Sequence, residues 1–150
     1  MPSLPHPEAV RGRGATGNAT PARFGLATRE AERLQAQSKL TQQASLIAAS
    51  DAQVATTQAT LGRSQMDLSR AETLRKPGYV SEERVTTLSA DAHIARSQVA
   101  KAQADAQGQR QQVNALNAEI KRLDAQIANA RADLAQAELN LTRSEIHAPI

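Results

Sequence analysis

Apolar side chains recur with an alternating spacing of three and four residues through the second half of the chain. Between Val85 and Leu141, seventeen positions follow this spacing, and sixteen of them are apolar. The positions are 85, 88, 92, 95, 99, 102, 106, 109, 113, 116, 120, 123, 127, 130, 134, 137 and 141. This spacing is typical of the seam of a coiled coil, because it places the side chains along one stripe of a helix. It predicts a helix over about residues 82–142.

One of the seventeen seam positions is polar. Gln109 occupies it and directly follows Gly108. We interpret the two residues as a local irregularity of the helix. The alternative is a polar seam residue that fixes the register of the pairing, as single polar residues do in coiled coils.

The first half of the chain carries a weaker seam. Leucine, isoleucine and valine recur every seven residues, at Leu40, Ile47, Val54, Leu61 and Leu68. We assign the complementary seam to alanines, with Ser64 as a polar interruption: Ala44, Ala48, Ala52, Ala55, Ala59 and Ala71. The pattern predicts a helix over about residues 27–76. Gly62, inside it, is interpreted as a tolerated defect rather than a point of close helix approach.

The stretch between the two patterns carries the signals of a chain reversal. Pro77 cannot continue a helix, and Gly78 can adopt the positive φ that closes a helix end. Ser81 is a good N-cap, and the spacing of Val80 and Val85 is that of a hydrophobic staple. The stretch predicts a tip over residues 77–81. A turn this short makes the two helices antiparallel neighbours.

The expected fold class is therefore all-α, a long antiparallel two-helix coiled-coil hairpin over residues 27–143. Residues 1–26 hold four of the six prolines and four of the seven glycines, and we expect a disordered tail there. Residues 144–150 resemble the start of an extended strand, because Pro149 forbids further helix.

Composition and charge exclude several classes of function. One Phe, one Tyr and no Trp argue against a core of ordinary thickness, and the absence of Cys excludes disulfides and thiolate metal sites. Acidic and basic residues alternate over most of the chain, which speaks against nucleic-acid binding. His6, His93 and His147 are far apart and form no metal motif. We expect no enzymatic activity, no metal and no cofactor, because no pattern builds a concave catalytic site.

Two stretches resemble one known protein family. The first is Arg70, Leu74 and Ser81, with the spacing Arg-x3-Leu-x6-Ser around the predicted tip. The second runs from Leu141 to Pro149 and reads Leu-x2-Ser-x-Ile-x-Ala-Pro. Together, in this order around Ala- and Gln-rich heptads, they resemble the hairpin of periplasmic adaptor proteins, also called membrane fusion proteins (HlyD/EmrA type).

The resemblance implies a function and a set of partners. Such adaptors link an inner-membrane transporter to a TolC-like outer-membrane channel in efflux or secretion, and their hairpins assemble side by side. By this resemblance Arg70, Leu74 and Ser81 contact the channel, with Tyr79 and Val80 as auxiliary contacts. The chain would be a homo-oligomer of the periplasm or cell envelope that binds no nucleic acid and, in the hairpin, no small-molecule substrate.

Parts of the family's pattern are not found in these 150 residues. We find no signal, membrane anchor, β-barrel or first lipoyl half, and residues 144–150 would be the start of a truncated lipoyl-like domain. We therefore expect the chain to be a fragment that contains the hairpin. The sequence leaves open whether residues 1–26 are native. The alternative function is a structural coiled-coil oligomerisation rod without a channel partner.

Overall fold

The fold consists of two long helices that pack against each other. A computed structural model describes the backbone of residues 8–146 and the side chains of residues 19–146. It contains α1 (Glu8–Arg75) and α2 (Glu82–Ile146), and the described residues form no strand. The prediction of an all-α helical hairpin is thereby confirmed.

Contacts divide the chain into two units, each of which contains a stretch of both helices. Unit 1 comprises Met1–Lys39 and Leu116–Ile150, and unit 2 comprises Leu40–Ala115. Within unit 1, Arg23 pairs with Glu138 and Glu30 with Arg131. Within unit 2, Asp51 pairs with Arg110 at 2.6 Å. Of the two pairs of unit 1, the one with the later residue of α1 has the earlier residue of α2, as antiparallel helices require.

The seam predicted for α2 matches the observed burial. All seventeen positions are buried or half-buried, and the only other residues of α2 that are not exposed are Glu119 and Gln126. The deepest of the seventeen are Leu123, 1% exposed, and Ala106, 2% exposed. A heptad of this regularity keeps one stripe of α2 against α1 along its length.

The complementary seam predicted for α1 is wrong for five of its six alanines. Ala71 is buried, but Ala44, Ala48, Ala52, Ala55 and Ala59 are exposed. The positions that face α2 instead lie three residues after each large apolar residue, as the heptad requires. They are Gln43, Ser50, Thr57, Ser64 and Ala71, all buried or half-buried. The heptad spacing, and not the polarity of the side chain, therefore determines which residues of α1 face α2.

Polar side chains in this seam find partners within the hairpin. The Gln43 amide donates to the side-chain oxygen of Gln109 and, at 3.4 Å, to its backbone carbonyl. The Thr57 hydroxyl donates to the carbonyls of Gln53 and Val54 at 3.0 and 2.9 Å. Among the described residues, no buried side-chain nitrogen or oxygen lacks a partner. Because α2 continues without a break through Gly108, the local irregularity predicted there is wrong, and Gln109 is one half of a polar layer.

The predicted disordered tail over residues 1–26 is wrong for residues 8–26, which lie in α1. Four glycines and Pro21 lower the helix propensity of this stretch, but the heptad continues over residues 19–26. Ala19 is 5% exposed, and Ala22 and Leu26 are half-buried on the same stripe. Burial of this stripe against α2 outweighs the unfavourable local propensity. Residues 1–7 lie outside the described residues.

The remaining boundaries differ little from the predictions. α1 ends at Arg75 and α2 begins at Glu82, within one residue of the predicted tip over 77–81. The predicted strand start at residues 144–150 is wrong for residues 144–146, which belong to α2, and residues 147–150 lie outside the described part. A Cβ atom added at Gly62 would meet nothing within 4 Å, so this glycine serves no close approach and is a tolerated defect.

Candidate functional site: the tip of the hairpin

The chain reverses at the tip through a Schellman motif. The amide of Gly78 donates to the carbonyl of Arg75 at 2.9 Å, and the amide of Tyr79 donates to the carbonyl of Leu74 at 3.1 Å. Gly78 has a φ of +87°, a conformation that costs an L-residue free energy. These bonds satisfy the last carbonyls of α1, so the tip is locally determined by Pro77 and Gly78.

The start of α2 is capped as the sequence predicts. The backbone amide of Arg84 donates to Ser81 Oγ at 3.2 Å, which makes Ser81 the N-cap. Glu82 and Glu83 place negative charge in the first turn, where it interacts favourably with the helix dipole. Ser81 is exposed, but its hydroxyl already has this structural role.

Apolar groups at the tip remain accessible. Tyr79 is 79% exposed and Leu74 is 43% exposed, whereas Val80 is half-buried next to the buried Val85. This burial is consistent with the predicted hydrophobic staple. Of the two auxiliary residues predicted for the site, Tyr79 is thus open to a partner and Val80 is largely used by the fold.

Arg70 and Leu74, two of the predicted site residues, share one surface depression near the end of α1. The depression has a volume of about 290 Å³, and Ser69 and Thr73 complete its lining. Tyr79, Val80 and Ser81 do not line it. Sequence reasoning missed Ser69 and Thr73, which have the same i, i+4 spacing as Arg70 and Leu74 and form the neighbouring row on α1.

The charges of the last two turns of α1 are mostly positive. Arg70 and Arg75 accompany a single acid, Glu72, and Lys76 directly follows α1. No hydrogen bond or ion pair of the described residues engages the guanidinium of Arg70. Cations at a helix C-terminus are stabilised by the helix dipole, and they make this end of α1 suited to an acidic partner.

A second depression, in unit 1, differs in character. It has a volume of about 630 Å³ and is lined by Leu34, Ile127, Ala128 and four charged residues. The four charges already pair across the helices, Glu30 with Arg131 and Arg33 with Asp124. The rim of this depression is therefore used for the packing of the hairpin, and we do not count it as the candidate site.

The described residues offer no metal site and no membrane span. No group of three His, Cys, Asp or Glu side chains among them is placed to hold a metal ion. Neither helix, as far as it is described, contains a stretch apolar enough to cross a bilayer. No protein-family model, curated protein or solved structure matches the chain.

Proposed function

We propose that this chain is the adaptor hairpin of a tripartite efflux or secretion system. In this function the tip binds a TolC-like outer-membrane channel, and an inner-membrane transporter is engaged through domains outside these 150 residues. The proposal places the hairpin in the periplasm and assigns it no catalytic activity. It rests on the resemblance of the motif around the tip.

One observation carries the proposal. Arg70 and Leu74, which the motif spacing selects, line a single open depression beside the chain reversal. Arg70 is exposed and without a partner in the hairpin, and Leu74 is 43% exposed although it is apolar. Exposed apolar and unpaired charged groups at the same place are typical of a binding surface.

The outward faces of both helices support side-by-side assembly of several copies. In α1 the heptad position directly opposite the seam is uncharged in every repeat from Phe24 to Thr73, and the exposed Phe24 and Met66 occupy it. Arg63 and Arg70 lie beside this row. In α2 the corresponding position is uncharged in every repeat from Ala90 to Ile146, with Lys121 and Arg122 beside it. Charged residues thus flank a narrow uncharged stripe on each helix, and such a stripe is suited to further helix packing.

A binding measurement tests the proposal. Purified hairpin is titrated against purified TolC-like channels in detergent, together with the variants Arg70→Asp and Leu74→Ser. We expect binding by the unsubstituted hairpin and a loss of at least about tenfold in affinity for each variant, as for residues at the centre of an interface. Equal binding by all three proteins would contradict the assignment of the tip.

The uncharged outward stripes also favour the alternative function, a coiled-coil oligomerisation rod without a channel partner. The two functions differ at the tip. For the rod, sedimentation would show oligomers whose mass does not change on Arg70→Asp or Leu74→Ser, and no channel would bind. For the adaptor, the same two variants should still form the oligomer but should no longer bind the channel.

A further inference from the structure

The depression near the end of α1 contains two residues that the motif does not include. Ser69 and Thr73 are one turn apart and alternate with Arg70 and Leu74 along its lining. All four side chains are exposed, so no part of the hairpin fills the depression. A surface feature that the fold leaves open is available to a partner.

The proton of the Thr73 hydroxyl is not available for donation to that partner. Thr73 Oγ1 donates to the backbone carbonyl of Ser69 at 3.0 Å. This bond fixes the side-chain rotamer, so the hydroxyl points back along the helix and the methyl group contributes to the surface. With Leu74 beside it, the lining is mainly apolar.

The charge at the depression determines which sign of charge is favoured on a partner. Arg70 is the one charged residue among those that line it. A partner group that enters the depression is therefore favoured when a carboxylate accompanies it.

We propose that Ser69 and Thr73 determine the specificity of the tip by forming a receptor for one aliphatic side chain of the channel. The same segment of the channel carries a carboxylate that pairs with Arg70. The small size of Ser69 and Thr73 keeps the depression open. This inference rests on the proposed function, since it names the chemistry of the partner at the same site.

Filling the depression tests the inference. Thr73→Leu fills it with a side chain that favours a helix, and Thr73→Val keeps its shape but removes the hydroxyl. Thr60→Leu is the matched control, because Thr60 is equally exposed on α1 and its hydroxyl makes the same kind of bond, to the carbonyl of Thr56 at 3.1 Å. Affinity for purified TolC-like channels is measured for each variant, with circular dichroism as the check of folding.

We expect Thr73→Leu to weaken binding at least about tenfold, while Thr73→Val and Thr60→Leu bind like the unsubstituted hairpin. Ser69→Leu should reproduce the loss. Unchanged binding by Thr73→Leu overturns the inference and leaves the proposed function standing. An equal loss for Thr73→Val also overturns it, because the hydroxyl would then be the recognised group. Absence of binding by the unsubstituted hairpin overturns the proposed function and the inference with it.

Discussion

The two units of the hairpin build the same kind of seam from opposite helices. In unit 1 the large side chains come from α2, including Leu116, Ile120, Leu123, Ile127 and Leu134. The facing positions of α1 are mostly small or polar, namely Ala19, Ala22, Arg29, Arg33 and Ala36. In unit 2 the large side chains come from α1, at Leu40, Ile47, Val54, Leu61 and Leu68, and α2 contributes mainly alanine and valine.

The difference between the units lies in how deeply the large groups are buried. Two of the large residues of α2 in unit 1 are buried, Leu123 at 1% and Ile127 at 5% exposure, and the others are half-buried like the large residues of α1 in unit 2. Unit 1 gains coverage from long polar side chains of α1: Arg29 donates to Gln126 at 3.0 Å, and Arg33 pairs with Asp124. Their aliphatic stems can cover the apolar seam while their charged heads stay in water.

The largest expected effect tests this difference in depth. Leu123→Ala should lower the free energy of unfolding by about 3 kcal/mol, because a fully buried leucine leaves a cavity. Leu61→Ala, at a half-buried seam position of unit 2, should cost only about 1 kcal/mol. Urea unfolding followed by circular dichroism measures both. Leu139→Ala is the control, since Leu139 is 45% exposed. Equal losses for Leu123 and Leu61 would remove the distinction between the units.

The next largest loss of stability is expected at the polar layer of unit 2, formed by Gln43 and Gln109. Gln43→Leu leaves Gln109 in the seam without its side-chain partner, and we expect a loss of about 2 kcal/mol. Adding Gln109→Leu should recover most of this loss, because both polar groups are then replaced by apolar ones. A double-mutant cycle on unfolding free energies gives the coupling between the two residues. Additive losses would show that the layer contributes no pairwise interaction.

Glycine-to-alanine substitutions should change the stability in opposite directions at the tip and inside a helix. Gly78→Ala should destabilise the hairpin by about 1 kcal/mol, because the φ of +87° is unfavourable for alanine. Gly108→Ala should stabilise it by about 0.5–1 kcal/mol, since Gly108 lies inside α2 and an added Cβ meets nothing. Thermal unfolding measures both changes. A stabilising Gly78→Ala would contradict the Schellman geometry of the tip.

The smallest expected effect is electrostatic and local to unit 1. A side-chain hydrogen bond from Arg122, one turn along α2, lowers the pKa of Glu119 from its usual value. The contribution of this pair is therefore present above the unfolded-state pKa and is lost as the pH falls through the lowered, folded-state pKa. A carbon-13 NMR titration of the Glu119 carboxyl should show the lowered pKa, and Arg122→Gln should return it toward the usual value. An unchanged titration would show that the pair is not formed in solution.

The sequence predicts α2 and the tip well because several signals agree there. An apolar heptad of eight repeats fixes which face of α2 is buried, and the Pro77–Gly78 pair with the Ser81 cap fixes the reversal. The second seam of α1 was missed because Gln43, Ser50 and Thr57 are polar. A search for apolar residues selects the neighbouring alanines instead. The heptad spacing from Leu40 and Ile47 was the signal that identifies the true positions.

Two further features lie beyond what local patterns reveal. The helical course of residues 19–26 depends on packing against α2, which outweighs Gly25 and Pro21. The depression beside Arg70 is lined by Ser69 and Thr73 as well, and the motif spacing does not include these two residues. The motif spacing selected two of its four residues, and only coordinates place Ser69 and Thr73 beside them.

The exposed position of Tyr79 has a practical consequence for optical and chemical labelling. It is the only tyrosine of the chain, and the chain contains no tryptophan and no cysteine. The hairpin therefore carries its near-ultraviolet chromophore on the tip surface itself, at 79% exposure. Nitration would attach a coloured, titratable reporter at this one position, and single introduced cysteines could be labelled elsewhere without competition. Events at the tip can thus be observed separately from events along the helices.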